Sequence, residues 1–229
     1  MKNKFSRRFK KLFDLPKDKK PLIVDEVISE VKKNCTTKFD ESIDVSLLLN
    51  LKQKKEEFNL RTIVKLPNGN GKKVKVAVLC EESKMSDAKS SGAELFESEK
   101  LISDISEGKI NFDKLIATPA MMAKMGKLGK ILGPKGLMPN PKLGTVTNDV
   151  KSAVAALKSG QIELKNDKDG NVGVSIGKKS FADNKIKQNF DTLIQTVLKE
   201  KPNGIKGDFI LSAFLTSTMG ISYKLKLGK

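Results

Sequence analysis

Apolar residues recur at helical spacing near both ends of the chain. They predict an amphipathic helix over 21–34, whose apolar stripe consists of Leu22, Ile23, Val27, Ile28 and Val31. A second helix is predicted over 181–199, with an apolar face made of Phe181, Ile186, Phe190, Leu193, Ile194 and Val197. Both segments are therefore expected to be half-buried helices.

Runs of branched apolar residues predict strands beside these helices. The segments 42–51 (SIDVSLLLNL) and 60–66 have this pattern, and a last strand is predicted over 208–220. The stretch QIELKNDKDGNVGVSIG, 161–177, predicts a β-hairpin, because Asp-Gly at 169–170 is a strong two-residue turn signal.

The middle of the chain has a different pattern, in which short apolar strands alternate with helices. Strands are predicted over 73–80 and 114–117, and helices over 86–95, 101–105, 120–125 and from 148 or 149 to 158. This alternation predicts a small three-layer α/β unit with a parallel sheet.

We therefore predict a protein of two domains, one α+β and one α/β. The first is a discontinuous α+β domain of the split β-α-β type, built from 1–67 and 160–229. The second is inserted between them and spans 68–159. The alternative is two consecutive domains that divide near Gly160, but neither half then has a complete core.

The charge balance favours a polyanionic partner. The chain of 229 residues has 44 Lys and Arg against 27 Asp and Glu, a net charge of +17. Such a surface suits rRNA, mRNA, DNA or an acidic membrane. Only three of the cations are arginine, and lysine suits phosphates better than bidentate reading of bases. No apolar run is long enough to span a bilayer.

The sequence offers little for catalysis. It has no histidine and only two cysteines, Cys35 and Cys80, which we expect to be free residues of a reduced compartment. It also lacks a phosphate-binding Gly-x-x-x-x-Gly-Lys-Ser/Thr loop. We predict no enzyme activity, no metal and no cofactor. A nucleotide-using enzyme and a non-specific basic binder are the rival hypotheses.

The first twenty residues carry nine cations and lack the apolar core of a secretory signal. A transit peptide is the alternative, since Ser6, Arg7 and Arg8 fit its composition, although Asp14 and Asp18 interrupt it. We expect a basic first segment of a mature protein in the cytoplasm. The sequence does not separate a bacterial source from an organelle-encoded one.

Several long motifs resemble the bacterial ribosomal protein L1 family. The most distinctive is LGPKGLMPNPKLGTVTNDV, 132–150, which combines three glycines, three prolines and two lysines. TKFDESIDV (37–45), FDKLIATPAMM (112–122), KPNGIKG (201–207) and TSTMG (216–220) recur in family order. The likeness covers nearly the whole chain.

The resemblance implies a terminal RNA-binding domain and a Rossmann-like insert without a nucleotide. It also implies a structural role in the large ribosomal subunit, on its mobile stalk beside the tRNA exit site. The implied partners are large-subunit rRNA, exit-site tRNA, the ribosome and the operon's own mRNA, whose translation many members repress; no membrane is implied.

By the same resemblance, the RNA-binding residues lie in two patches that a hairpin could extend. They are Lys38, Phe39, Glu41, Ser42, Ser212, Thr218, Met219 and Gly220, with Lys165, Asn166 and Lys168 from the hairpin. Lys135 and Lys142 would form a secondary RNA or tRNA side of the insert. Phe39 and Met219 have an ordinary alternative as core residues. The chain departs from the family at Ile221, where proline is usual.

Overall fold

The elements of the fold are taken from a computed structural model. It describes residues 6–13, 21–51, 60–81, 84–96, 98–202 and 205–227. The helices are α1 (Arg7–Phe13), α2 (Val24–Lys33), α3 (Met85–Ser90), α4 (Ser98–Ser106), α5 (Pro119–Met125), α6 (Gly129–Leu132), α7 (Val150–Lys158) and α8 (Asp183–Lys199). The strands are β1 (Ser42–Leu49), β2 (Arg61–Lys65), β3 (Val76–Leu79), β4 (Lys114–Ala117), β5 (Gln161–Lys165), β6 (Asn171–Lys178), β7 (Ile210–Ser217) and β8 (Tyr223–Lys224).

The chain divides into two compact units. One comprises Met1–Gly71 with Glu163–Lys229, and the other comprises Lys72–Ile162. We call them the terminal unit and the inserted unit. The boundaries expected from the sequence, after 67 and before 160, lie within four residues of these.

A four-stranded sheet in the order β6-β1-β7-β8 organises the terminal unit. The central strand, β1, is antiparallel to both β6 and β7. A parallel bridge from Leu22 to Leu225 adds one more rung beyond β8. Segments from both ends of the chain are therefore neighbours in this sheet.

The helices α2 and α8 pack on one face of the sheet. They bury most of the apolar residues expected from the sequence, including Val27 and Val31 on α2 and Phe190 and Leu193 on α8. Ile23, expected in the first stripe, instead precedes α2 and is 57% exposed. Along β7 the residues Ala213, Leu215 and Ser217 are buried, whereas Ser212, Phe214 and Thr216 are only half-buried. The alternation leaves the second face of the sheet, that of Ser212, more accessible.

The hairpin expected over 161–177 is wrong in its pairing. The chain does turn at Gly170, which has φ +87°, but β5 pairs with β2 and β6 pairs with β1. Only one bridge, Asn166 to Val172, joins the two arms. The Asp167 side chain occupies the turn and accepts hydrogen bonds from the amides of Asp169 and Asn171 at 2.9 and 2.7 Å.

The inserted unit is a three-layer α/β structure. Its strands β3 and β4 are parallel, with single parallel bridges to Leu95 and Val146 at their outer sides. One face of this sheet packs against buried residues of α4 and α5, and the other against buried residues of α3 and α7. Coverage of both faces explains why β3 and β4 are almost continuously apolar.

The remaining expectations differ mainly at element ends. The strand expected over 73–80 is limited to β3, and the helix expected over 86–95 ends at Ser90. Asp149 is the N-cap of α7 and accepts a hydrogen bond from the Ser152 amide at 3.2 Å. Both cysteines are free and buried. Among the described residues, no helix combines the length and apolarity needed to cross a bilayer.

Candidate nucleic-acid interface

The motifs TKFDES and TSTMG meet at one end of the terminal sheet. The Thr218 amide donates to the Ser42 carbonyl oxygen at 3.1 Å, and the Thr218 hydroxyl accepts from the Ser42 amide at 2.9 Å. These bonds continue the pairing of β1 and β7 by one residue beyond Ser217. We call the surface formed by 36–42 and 217–220 the interface.

A buried carboxylate holds the two segments of the interface together. Glu41 is 0% exposed. Its Oε1 accepts from the Thr37 hydroxyl at 2.8 Å and the Thr37 amide at 3.3 Å, and its Oε2 accepts from the Met219 amide at 3.1 Å. The resemblance implies Glu41 as an RNA-binding residue, but a carboxylate without exposed surface does not reach a ligand. Its role in this arrangement is to position Thr37 and Met219.

The charge of Glu41 is stabilised where it is buried. Burial alone raises the pKa of this carboxyl, but the hydrogen bonds from Thr37, Ser217 and the Met219 amide outweigh it, and the pKa of Glu41 is lowered. The ionised form is therefore the one that braces the interface at neutral pH.

The outer surface of the interface combines flat apolar groups with hydroxyls and cations. Phe39 is 52% exposed and Met219 is 48% exposed, so neither is a core residue. Lys38 and Thr218 are also exposed. An exposed ring can stack on a base or a sugar, while hydroxyls and peptide groups can bond ribose hydroxyls.

The last residue of β6 and the residues just after it brace the first segment of the interface. Lys178 Nζ donates to the Ser42 hydroxyl at 2.8 Å. Asp40 accepts from the Ser180 amide at 3.0 Å and from its hydroxyl at 2.8 Å. Lys179 Nζ donates to the Cys35 carbonyl oxygen at 2.7 Å. Two further ammonium groups therefore lie beside the interface.

Gly220 has an internal reason to be glycine. A Cβ at this position would lie 2.3 Å from the Ser217 Oγ, which is closer than real contacts allow. The Gly220 amide also donates to the Ser217 carbonyl oxygen at 3.1 Å, which closes the turn. After Gly220 the chain enters β8 within two residues, with Ile221 in place of the family proline.

Four of the expected RNA-binding residues lie at the other end of the sheet. Ser212 pairs with Leu48, and Leu48 also pairs with Asn171 at the start of β6. The expected hairpin residues lie just before Asn171 along the chain, with Lys165 at the end of β5 and Asn166 and Lys168 between the two strands. The length of β6, about 23 Å for eight residues at roughly 3.3 Å per step, separates Asn171 from the Ser42 end. The structure does not bring these residues into the interface.

Among those four, Asn166 is buried and makes hydrogen bonds within the protein. It is 7% exposed, its Oδ1 accepts from the Leu60 amide at 2.6 Å, and its Nδ2 donates to the Asp167 carbonyl oxygen at 2.8 Å. A side chain buried with these partners has little left to offer RNA. Lys165 and Lys168 are exposed.

Lys135 and Lys142 are exposed on the Gly-Pro run of the inserted unit. Hydrogen bonds between Asn140 and Thr145 brace this run: the Asn140 amide donates to the Thr145 hydroxyl at 2.8 Å. Leu132 is fully buried in the core of the unit. The run is therefore a packed loop that carries cations on its outside.

Three residues that contribute to the interface are not predicted from the sequence. Thr37 and Ser217 hold Glu41, and Arg8 donates from its Nη2 to the Met219 carbonyl oxygen at 2.7 Å. Thr37 and Ser217 lie inside quoted motifs, so motif membership could have indicated them. Nothing in the local pattern indicates Arg8, which is 211 residues from its partner.

Comparisons with known proteins show the family to which the chain belongs. The model of the Ribosomal protein L1p/L10e family matches residues 31–221. Large ribosomal subunit protein uL1 of Pelagibacter ubique (strain HTCC1062) is 58% identical over 225 residues, 98% of this chain and 98% of its own length. Large ribosomal subunit protein uL1c of Phaeodactylum tricornutum (strain CCAP 1055/1) is 45% identical over 224 residues, 98% of this chain and 97% of its own. Large ribosomal subunit protein uL1 of Fervidobacterium nodosum (strain ATCC 35602 / DSM 5306 / Rt17-B1) is 42% identical over 225 residues, 98% and 96% of the two chains. The match therefore extends over both units, and the chain belongs to the Ribosomal protein L1p/L10e family.

Proposed function

We propose that this ribosomal protein is a structural constituent of the large subunit and binds large-subunit rRNA through the interface of its terminal unit. The rRNA segment is that of the mobile stalk. Bound there, the protein assists release of deacylated tRNA from the exit site.

One observation carries the proposal. Phe39 and Met219 are about half exposed, although a buried carboxylate fixes the backbone beneath them. Large apolar side chains on a rigid, cation-rimmed surface are typical of a binding site, and the net charge of +17 favours a nucleic acid. Hydroxyls at Thr218 and Ser42 suit the ribose groups that distinguish RNA from DNA.

The test is an electrophoretic shift with a stalk rRNA fragment over a salt series. Phe39→Ala should weaken binding about fivefold or more, since stacking on one base contributes about 1–3 kcal/mol. Leu198→Ala is the matched control, because Leu198 is 48% exposed on α8, outside the interface. Binding that is equally strong to unrelated RNA, or equal losses in both variants, would favour a non-specific basic binder.

The insert has a secondary role in this proposal. Lys135 and Lys142 contact phosphates of rRNA or tRNA, and their double replacement by alanine should reduce the salt slope of binding by at most about two, with a small loss of affinity. A loss as large as that of Thr218→Ala would reverse the ranking of the two surfaces.

We also propose that the interface recognises a similar fold in the operon's own mRNA and represses its translation. A reporter gene fused to the leader of this mRNA should be repressed by the wild-type protein and not by Thr218→Val. Thr62→Val is the control, because Thr62 lies on β2, outside the interface, and its hydroxyl donates to the Glu200 carboxylate at 3.1 Å. Equal repression by both variants would separate repression from the interface.

A further inference from the structure

The first helix of the chain is docked next to the interface. It begins with a cap, in which the Ser6 hydroxyl accepts from the Phe9 amide at 3.2 Å. Leu12, near its other end, is 5% exposed and therefore packs on the protein. A helix of seven residues has little stability in isolation, so its position depends on such contacts.

Arg8 links this helix to both segments of the interface. Its Nη1 donates to the Thr36 hydroxyl at 3.1 Å, and its Nη2 donates to the Met219 carbonyl oxygen at 2.7 Å. The first bond reaches the segment that carries Phe39, and the second reaches the peptide of Met219 itself. One guanidinium thus bridges the two segments that carry the apolar groups expected to meet RNA.

Toward the residues that the structure describes, the guanidinium of Arg8 retains capacity for a ligand. Arginine has five N–H donors in a planar fork, and these two bonds engage only two of them. The side chain is half-buried, at the border between the protein and solvent. A guanidinium in this setting suits a phosphate, which accepts two parallel hydrogen bonds.

The rest of the helix adds positive charge without any acid. Arg7, Lys10 and Lys11 are exposed, and α1 contains no aspartate or glutamate. Lys38 of the interface is exposed as well. A cluster of exposed cations attracts the sugar-phosphate backbone and not particular bases.

We propose that α1 is an arm of the RNA interface, in which Arg8 braces the Thr36 and Met219 segments and contacts a backbone phosphate of the bound RNA. Arg7, Lys10 and Lys11 supply phosphate contacts at its rim. This inference rests on the proposed function, and it adds a residue that both positions the interface and touches the ligand.

Matched charge changes on one helix test the proposal. Arg8→Gln and Arg7→Gln each remove one positive charge, but only Arg8 makes the two bonds to the interface. We expect Arg8→Gln to raise the Kd for the stalk rRNA fragment about tenfold or more, and Arg7→Gln less than about fivefold. Arg8→Lys keeps the charge without the planar fork, so it should restore the salt slope but not the affinity.

A measurement without RNA separates this proposal from the proposed function. The Gly220 amide donates to the Ser217 carbonyl oxygen, and it shares a peptide group with the Met219 carbonyl that Arg8 binds. Hydrogen exchange at this amide should therefore be faster in Arg8→Gln and unchanged in Arg7→Gln. If the wild type does not bind the fragment, the proposed function fails, whatever the exchange shows. If the wild type binds and the two glutamine variants lose equal affinity, or if exchange is unchanged in Arg8→Gln, the arm is refuted.

Discussion

Replacing Glu41 with glutamine is expected to destabilise the terminal unit by about 2–3 kcal/mol. The carboxylate accepts from Thr37 at one oxygen and from the Met219 amide at the other, with no exposed surface. An amide has only one oxygen, so its NH₂ group must face one of these N–H donors. A hydrogen bond to a charged group contributes about 1.5–3 kcal/mol, and an unpaired buried donor costs about 1–3 kcal/mol.

Native-state hydrogen exchange is the assay, because it reports on the terminal unit separately from the inserted one. The Met219 amide should lose protection in Glu41→Gln, and urea unfolding should show the fall in stability. Glu163→Gln is the control: its carboxylate pairs with Arg61 Nε at 2.8 Å at the partly exposed surface, a pair that contributes about 0–1 kcal/mol. Equal losses in the two variants would refute the bracing role of Glu41.

Three further changes test the contacts of Glu41, the turn at Gly220 and the N-cap of α7. Because the pKa of Glu41 is lowered, the stability that its carboxylate contributes is complete above the ordinary glutamate pKa of 4.5 and is lost as the pH falls through the folded-state pKa. The free energy of unfolding of the wild type should therefore approach that of Glu41→Gln as the pH is lowered. Gly220→Ala should displace the Ser217 hydroxyl from Glu41 and weaken RNA binding in the shift assay, and unchanged affinity would contradict this. Asp149→Ala should lower the free energy of unfolding of the inserted unit by about 1 kcal/mol in urea, because the Ser152 amide loses the N-cap carboxylate that accepts from it. Asp149→Asn should lower it less.

Local patterns were sufficient to predict most elements but not their partners. The apolar stripe of 181–199 predicts α8 to within two residues, because amphipathic spacing is a property of one segment. The Asp-Gly pair correctly indicates a turn at 169–170. It does not determine that β5 joins β2, since pairing depends on distant strands.

The candidate interface is harder to predict for physical reasons. A glutamate in a charged motif is ordinarily an exposed residue, and the hydrogen bonds from Thr37 and from the distant Met219 amide make the burial of Glu41 favourable. Asn166 was expected to bind RNA because its side chain is polar, but its Oδ1 accepts a hydrogen bond from the Leu60 amide. The register of β1 with β6 places Lys165 and Lys168 far from Phe39, and register is not visible in either strand alone.

The bond between Glu41 and the Met219 amide spans 178 positions of the chain. A ribosome adds about 5–20 residues each second, so roughly ten to forty seconds of translation pass between the two partners. Until Asn171 is added, β1 lacks both neighbouring strands, whereas the inserted unit is continuous and has all of its residues once Ile162 is added. A nascent or prematurely terminated polypeptide that ends before Met219 therefore lacks the bond that joins the two segments of the interface.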